Sequence, residues 1–172
     1  MFEELKLKSI PPTELALEIR IGRPIPNEIA LPPAQHQLDK YRNMRAKHPN
    51  WVHRRAACGT YNCYGHNFAS RRTAIYDDEK DTVLKMILED DRYVRIALRD
   101  AVPGDLALYR AESTGVVHIG QIVEVGTPDG QTRLSPIWVI SKWDDGTGED
   151  RHLIHDVPFR FDGEIEIWTD RH

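Results

Sequence analysis

The chain has 172 residues, with 23 basic and 27 acidic side chains dispersed along it and a formal net charge of −4. That length suits one domain with a substantial core. It carries no basic footprint for nucleic acid and no apolar run near the ~20 residues a bilayer-spanning helix needs.

Prolines at 11, 12, 24, 26, 32 and 33 cut the first third into short pieces. Residues 13–20 read as a short helix, with Pro12 near its start and Thr13 as its cap. Residues 34–47 read as a surface helix with few apolar positions, stopped before Pro49. Residues 1–50 are therefore expected to be an extension packed on a domain spanning 51–172. From Asn62, a good helix cap, a helix is predicted over 63–76 and is closed by Asp77-Asp78. A second covers 79–88, where Val83, Leu84, Ile87 and Leu88 make one stripe. The period then changes to that of strands, over 106–110, 116–125, 137–143 and 165–169. Turns fall at 113–115 and 127–130, and 151–158 reads as a loop running into a strand end. Helices followed by an antiparallel meander predict an α+β fold.

Two cysteines, Cys58 and Cys63, do not make a disulfide framework. The start, Met1-Phe2-Glu3-Glu4-Leu5-Lys6-Leu7-Lys8, lacks the layout of a signal peptide. A reduced, cytoplasmic protein is the expectation, with export by a non-classical secretion system as the other route.

The richest segment is Tyr61-Asn62-Cys63-Tyr64-Gly65-His66-Asn67-Phe68. It sets a cysteine in the first turn of a helix, where unpaired N–H groups and the helix dipole favour the nucleophilic thiolate. A second feature is Val116-Val117-His118-Ile119-Gly120-Gln121-Ile122. On a regular strand Val116, His118, Gly120 and Ile122 share a face, and Gly120 leaves space beside the imidazole for another element, such as the start of the cysteine helix.

Taken with the turn Pro103-Gly104-Asp105 into Leu106-Ala107-Leu108-Tyr109, the order of these pieces from about residue 58 to 145 resembles the NlpC/P60 and CHAP families of papain-like cysteine peptidases and amidases. Those families set a nucleophilic cysteine at a helix start, then a proline-glycine-aspartate turn, then a histidine-x-glycine strand. Here Asn62 and Tyr64 stand where the family motif has aspartate and serine, which marks a divergent member. The resemblance implies a papain-like fold, a nucleophile helix packed on an antiparallel sheet. It implies Cys63 as nucleophile, His118 as general base and a thioester intermediate. Its third polar residue lies on the next strand, here 137–143. Ser141 suits that role better than Lys142, because a hydroxyl accepts from imidazole and an ammonium does not. Tyr61, Tyr64 and His66 are candidate oxyanion or substrate contacts. The expected substrate is a peptide, an isopeptide or a peptidoglycan fragment, with no cofactor and no nucleic acid.

Other readings stay open. Asn62-Cys63-Tyr64-Gly65-His66-Asn67-Phe68 is also similar to a motif of lecithin:retinol acyltransferase-like proteins, whose histidine strand precedes the cysteine helix; acyl transfer to a small acceptor is the corresponding function. A non-catalytic binding module on the same fold is another. Cys58, Cys63 and His66, completed by His118 or His155, would be a zinc set. His152 and His155 otherwise read as loop residues.

Overall fold

A computed structural model describes residues 14–112, 114–127, 135–159 and 163–171. Helix α1 is Gln35–Ala46, α2 is Cys63–Phe68 and α3 is Thr82–Asp90. The strands are β1 (Val52–Arg55), β2 (Val94–Ile96), β3 (Leu106–Ala111), β4 (Gly115–Val125), β5 (Ile137–Lys142), β6 (Glu149–Leu153) and β7 (Glu164–Thr169). They form one antiparallel sheet in the order β1-β6-β5-β4-β3-β7-β2. The fold is thus α+β, as helical periods followed by strand periods suggested. No helix among the described residues is long and apolar enough to cross a membrane.

The pleat divides the core in two. Paired residues share a face, so Leu106, Leu108 and Ile119 point together at α2 and α3, where Tyr64, Leu84, Ile87 and Leu88 meet them. Ala107, Tyr109, Ile122, Val139 and Ile167 fill the reverse face. We call these the helix face and the ring face.

Several predicted elements change. Residues 14–20 form no helix, with an isolated bridge at Glu18 and a turn at Arg20, and Pro12 and Thr13 lie outside the described residues. Asn27 explains this: its side chain takes both the N–H and the C=O of Leu15, and Ile25 N–H donates to Leu17 O. Those bonds replace a helix's own. The segment belongs to the core, since Ile19 and Ile25 are buried in the helix-face cluster. Helix α2 stops at Phe68 rather than 76 because Ser70 and Arg71 turn left-handed, with φ of 48° and 66°. Helix α3 starts at Thr82 because Asp81 is left-handed too, and the Asp77 carboxylate accepts from the N–H groups of Val83 and Leu84.

Strands β1 and β6 had no apolar alternation to reveal them, and β2, Val-Arg-Ile, is only three residues long. β1 reads Val-His-Arg-Arg and is exposed throughout. β6 reads Glu-Asp-Arg-His-Leu, yet Glu149, Asp150 and His152 are all buried. It lies between β1 and β5, so the supposed loop at 151–158 begins inside the sheet.

Candidate active site

Asn62 builds the start of α2. Its side-chain oxygen accepts from Gly65 N–H at 2.9 Å and Ile75 N–H at 3.2 Å, and its amide donates to Ile75 O at 2.7 Å. Only a side chain with both a donor and an acceptor can cap the helix and hold the returning chain together. Gly65 permits the approach, since a Cβ there would stand 1.8 Å from Thr73 O.

Cys63 then meets β4 edge-on. The backbone N–H of Ile119, in the peptide unit that follows His118, favours the thiolate at the Cys63 sulfur. Asn67, one turn on, donates from Nδ2 to Cys63 O at 2.7 Å and to Ile119 O at 3.2 Å. The helix is clamped to the strand at the residue next to the histidine. Burial pushes the Cys63 thiol up to about 11, against the pull of the Ile119, Tyr64 and Cys63 N–H groups. The helix start therefore holds a protonated thiol, not the thiolate its position suggested.

His118 is 2 % exposed. Its ring stacks on Trp143 with centroids 4.5 Å apart and planes 28° apart, and Tyr109 lies at 5.5 Å. Burial holds its pKa well below the ordinary 6.5, helped by the nearby imidazoles of His152 and His66. A bulge at Val117 breaks the regular alternation: Tyr109 pairs His118 but Arg110 pairs Val116. Val116 thus joins the helix-face cluster and does not share the side of His118. Gly120 serves β5 rather than the cysteine helix, because a Cβ there would meet Val139 Cγ1 at 2.3 Å and Ser141 Oγ at 2.8 Å. No hydrogen bond among the described residues joins Cys63 to His118. The thiol belongs with the helix-face cluster, the imidazole with the ring face, and one peptide unit separates them.

Ser141 does lie on the ring face, but its partner is His152, at 2.8 Å from Nε2. The other nitrogen of His152 meets Leu153 O at 2.7 Å. Nδ1 must therefore carry the proton, and the Ser141 hydroxyl donates to Nε2. His152 is wholly buried and burial lowers its pKa to about 4. Sequence reasoning left it in a loop, and only its place two residues after Asp150 on β6 could have signalled otherwise.

Tyr61 and His66 sit on the helix face in a buried ionic cluster. Tyr61 donates to Glu149 at 2.7 Å, and Arg71 reaches both Glu149 and His66 Nε2. Lys142, also buried, donates to the carbonyls of Cys58, Asp145 and Thr147. Tyr64 OH is 3.4 Å from Asp77. These three side chains thus have structural partners of their own. Among the described residues no group of three or more His, Cys, Asp or Glu is arranged to hold a metal, so Cys58, Cys63 and His66 do not converge as a zinc set.

A cleft of about 230 Å³ opens between α1 and the turn after β5, lined by Tyr41, Met44, Trp143 and Phe159 with Lys40 and Asp144 at the rim. Trp143 is therefore shared between this cleft and the ring of His118. No protein-family model, curated protein or solved structure matches the chain.

Proposed function

We propose that the chain is a thiol hydrolase, a peptidase or amidase of papain-like fold, with Cys63 as nucleophile and His118 as base. The observation that carries this reading is the clamp by which Asn67 holds both Cys63 O and Ile119 O, so that the cysteine packs on β4 at the residue after His118. The site rests as neutral thiol and neutral imidazole, since burial raises one pKa and lowers the other. Proton transfer thus accompanies attack instead of preceding it.

On this reading β4 shifts at the Val117 bulge when substrate arrives and carries the His118 imidazole from the ring face to the thiol. Cys63 Sγ bonds the carbonyl carbon of an amide as its proton passes to the imidazole. The backbone N–H of Cys63, at the start of α2, would donate to the oxyanion. Collapse breaks the C–N bond, and the imidazolium protonates the leaving amine. Water then attacks the thioester. His118 takes the water's proton and returns it to the sulfur. An amine or alcohol in place of water would make the same site an acyltransferase, which product analysis distinguishes. The amide would belong to a peptide, an isopeptide or a peptidoglycan fragment.

The test is an activated acyl ester probe at pH 7.5, followed by peptide mass mapping. Acylation at Cys63, lost in Cys63→Ala and in His118→Ala, is the expected result. Labelling confined to Cys58 overturns the assignment. A non-catalytic binding module on the same fold is the second reading, favoured by the lack of a hydrogen bond between thiol and imidazole. It requires that Cys63 take no acyl group from the activated ester.

A further inference from the structure

We propose that the cations carried by residues 34–72 form one face that binds the phosphate backbone of a nucleic-acid duplex. This role is independent of the Cys63 chemistry above.

Over the whole chain the charges nearly balance; by segment they do not. Residues 34–72 hold eight Lys or Arg and one acid, Asp39, a net of +7, so the rest of the chain carries −11. The fold brings that segment to one edge of the sheet. β1 is the edge strand, and α1 lies beside it, with Tyr41 OH 3.4 Å from His53 Nδ1. Arg45 and His53 both meet Asp150, at 3.0 and 3.7 Å. Arg55 and Arg71 both meet Glu149, the neighbour of Asp150 on β6. Those two carboxylates are buried. The anions of this region therefore point inward, and the cations surround them.

Six of the eight cations are exposed: Lys40, Arg42, Lys47, Arg54, Arg55 and Arg72. Lys40 pairs with Asp144 at 3.2 Å and Arg42 with Asp39 at 2.9 Å. Exposed ion pairs of this kind are weak, so a phosphate can exchange for the carboxylate. Lys47, Arg54 and Arg72 have no ion pair among the described residues.

The make-up of the face selects its partner. The outward side of α1 shows Gln35, His36, Lys40, Arg42, Asn43 and Lys47. Of the large apolar residues in the segment only Val52 is exposed, which is too little for a protein partner, whose binding rests on buried apolar and aromatic anchors. Tyr41 and Trp51 are buried, so neither offers its ring to stack single-stranded bases. β1 does not suit an added peptide strand, because its edge is charged and is bulged between His53 and Arg55. A polar, positively charged surface of this kind is the composition of a protein–nucleic acid interface. Arginine supplies six of the eight cations, and its planar fork matches phosphate oxygens.

The test is fluorescence anisotropy with labelled DNA and RNA duplexes of about 20 base pairs, from about 50 mM salt upward. At the lowest salt a Kd of about micromolar is expected, and log affinity should fall with log salt at a slope of about −3 to −5. Lys47→Gln, Arg54→Gln and Arg72→Gln should each weaken binding about three- to tenfold and lessen that slope by about one, at an unchanged melting temperature. Arg99, an exposed cation just past β2 at the opposite edge of the sheet, serves as the control, and Arg99→Gln should change affinity by less than about twofold. Cys63→Ala should bind as the parent does. Binding of either duplex supports the proposal, and the tighter one identifies DNA or RNA as the source of the phosphates. No binding at the lowest salt, or affinity and slope that the three variants leave unchanged, overturns it. Equal competition by a single strand or by polyglutamate also overturns it, the latter in favour of an acidic protein.

Discussion

Strands β5 and β6 carry two different chemistries on their two sides. Lys142 pairs Glu149 on the helix face, while Ser141 pairs Asp150 on the ring face, one residue away in each strand. On the helix face Glu149 is bound by Arg71 and Tyr61, and Lys142 spends its three donors on three backbone carbonyls. That is charge held by near-complete partnering. On the ring face Trp143 packs between His118 and His152 as neutral rings, and Nε1 of Trp143 and Nε2 of His118 lack hydrogen-bond partners among the described residues. Buried charge must be matched or the fold suffers. Neutral rings can be left with spare donor capacity, and that is where proton chemistry can operate.

The sharpest way to break this contrast is to remove the helix-face anion. Glu149→Ala leaves Arg71 without its carboxylate and Tyr61 without its acceptor, and should cost about 3 to 5 kcal/mol in a denaturant titration. A loss below about 1 kcal/mol would mean that the cluster contributes little. Acid should then separate the faces. Burial lowers the pKa of His152 to about 4 and that of His118 well below 6.5, so both are neutral in the fold and charge more readily once unfolded. Stability present above pH 6.5 is lost as pH falls toward about 4. His66, lowered to about 4 by its own burial, adds to the same slope. His152→Gln should make that slope shallower, measured by denaturant unfolding at half-unit pH steps. Glu149 behaves otherwise. Burial tends to raise its pKa, but Arg71 and Tyr61 outweigh burial and hold it below the usual 4.5. Its contribution is intact above that pH and fades only below it, so Glu149→Gln should flatten the curve only in the more acidic range.

The contrast also explains what could be read from the sequence. Strands β3, β4, β5 and β7 are rich in Leu, Ile, Val and Ala, as a continuous run in β3, and their limits fell within one or two residues of expectation. β6 buries Glu149, Asp150 and His152, so hydropathy called it solvent-facing when hydrogen bonding had made it core. Asn62 was legible as a cap because its residue type and position suffice for that role. The face of Val116 was not, because the bulge at Val117 depends on how β3 and β4 pair. Nor was the Cys63 environment: a helix start predicts a low thiol pKa, and burial reverses it against the pull of the Ile119 N–H. Position along the chain carried the local geometry, whereas burial, which sets the pKa values, depended on distant partners.

The smallest expected effect marks where charge stops mattering. Lys40 and Asp144 meet at 3.2 Å across the rim of the cleft, with side chains 75 % and 42 % exposed. Water screens such a pair and side-chain entropy opposes it, so Lys40→Ala should change stability by no more than about 0.5 kcal/mol. The ion pair nevertheless bridges α1 to the turn after β5, above the floor formed by Trp143. Removing it widens the mouth of the cleft without touching the ring stack. Neither Cys63 nor His118 lines that cleft, so the variant should leave both the concentration dependence and the maximal rate of Cys63 acylation by the activated ester alone. A fall in the maximal rate would mean that the rim helps to hold Trp143 against His118, and that the ring stack depends on surface charge after all.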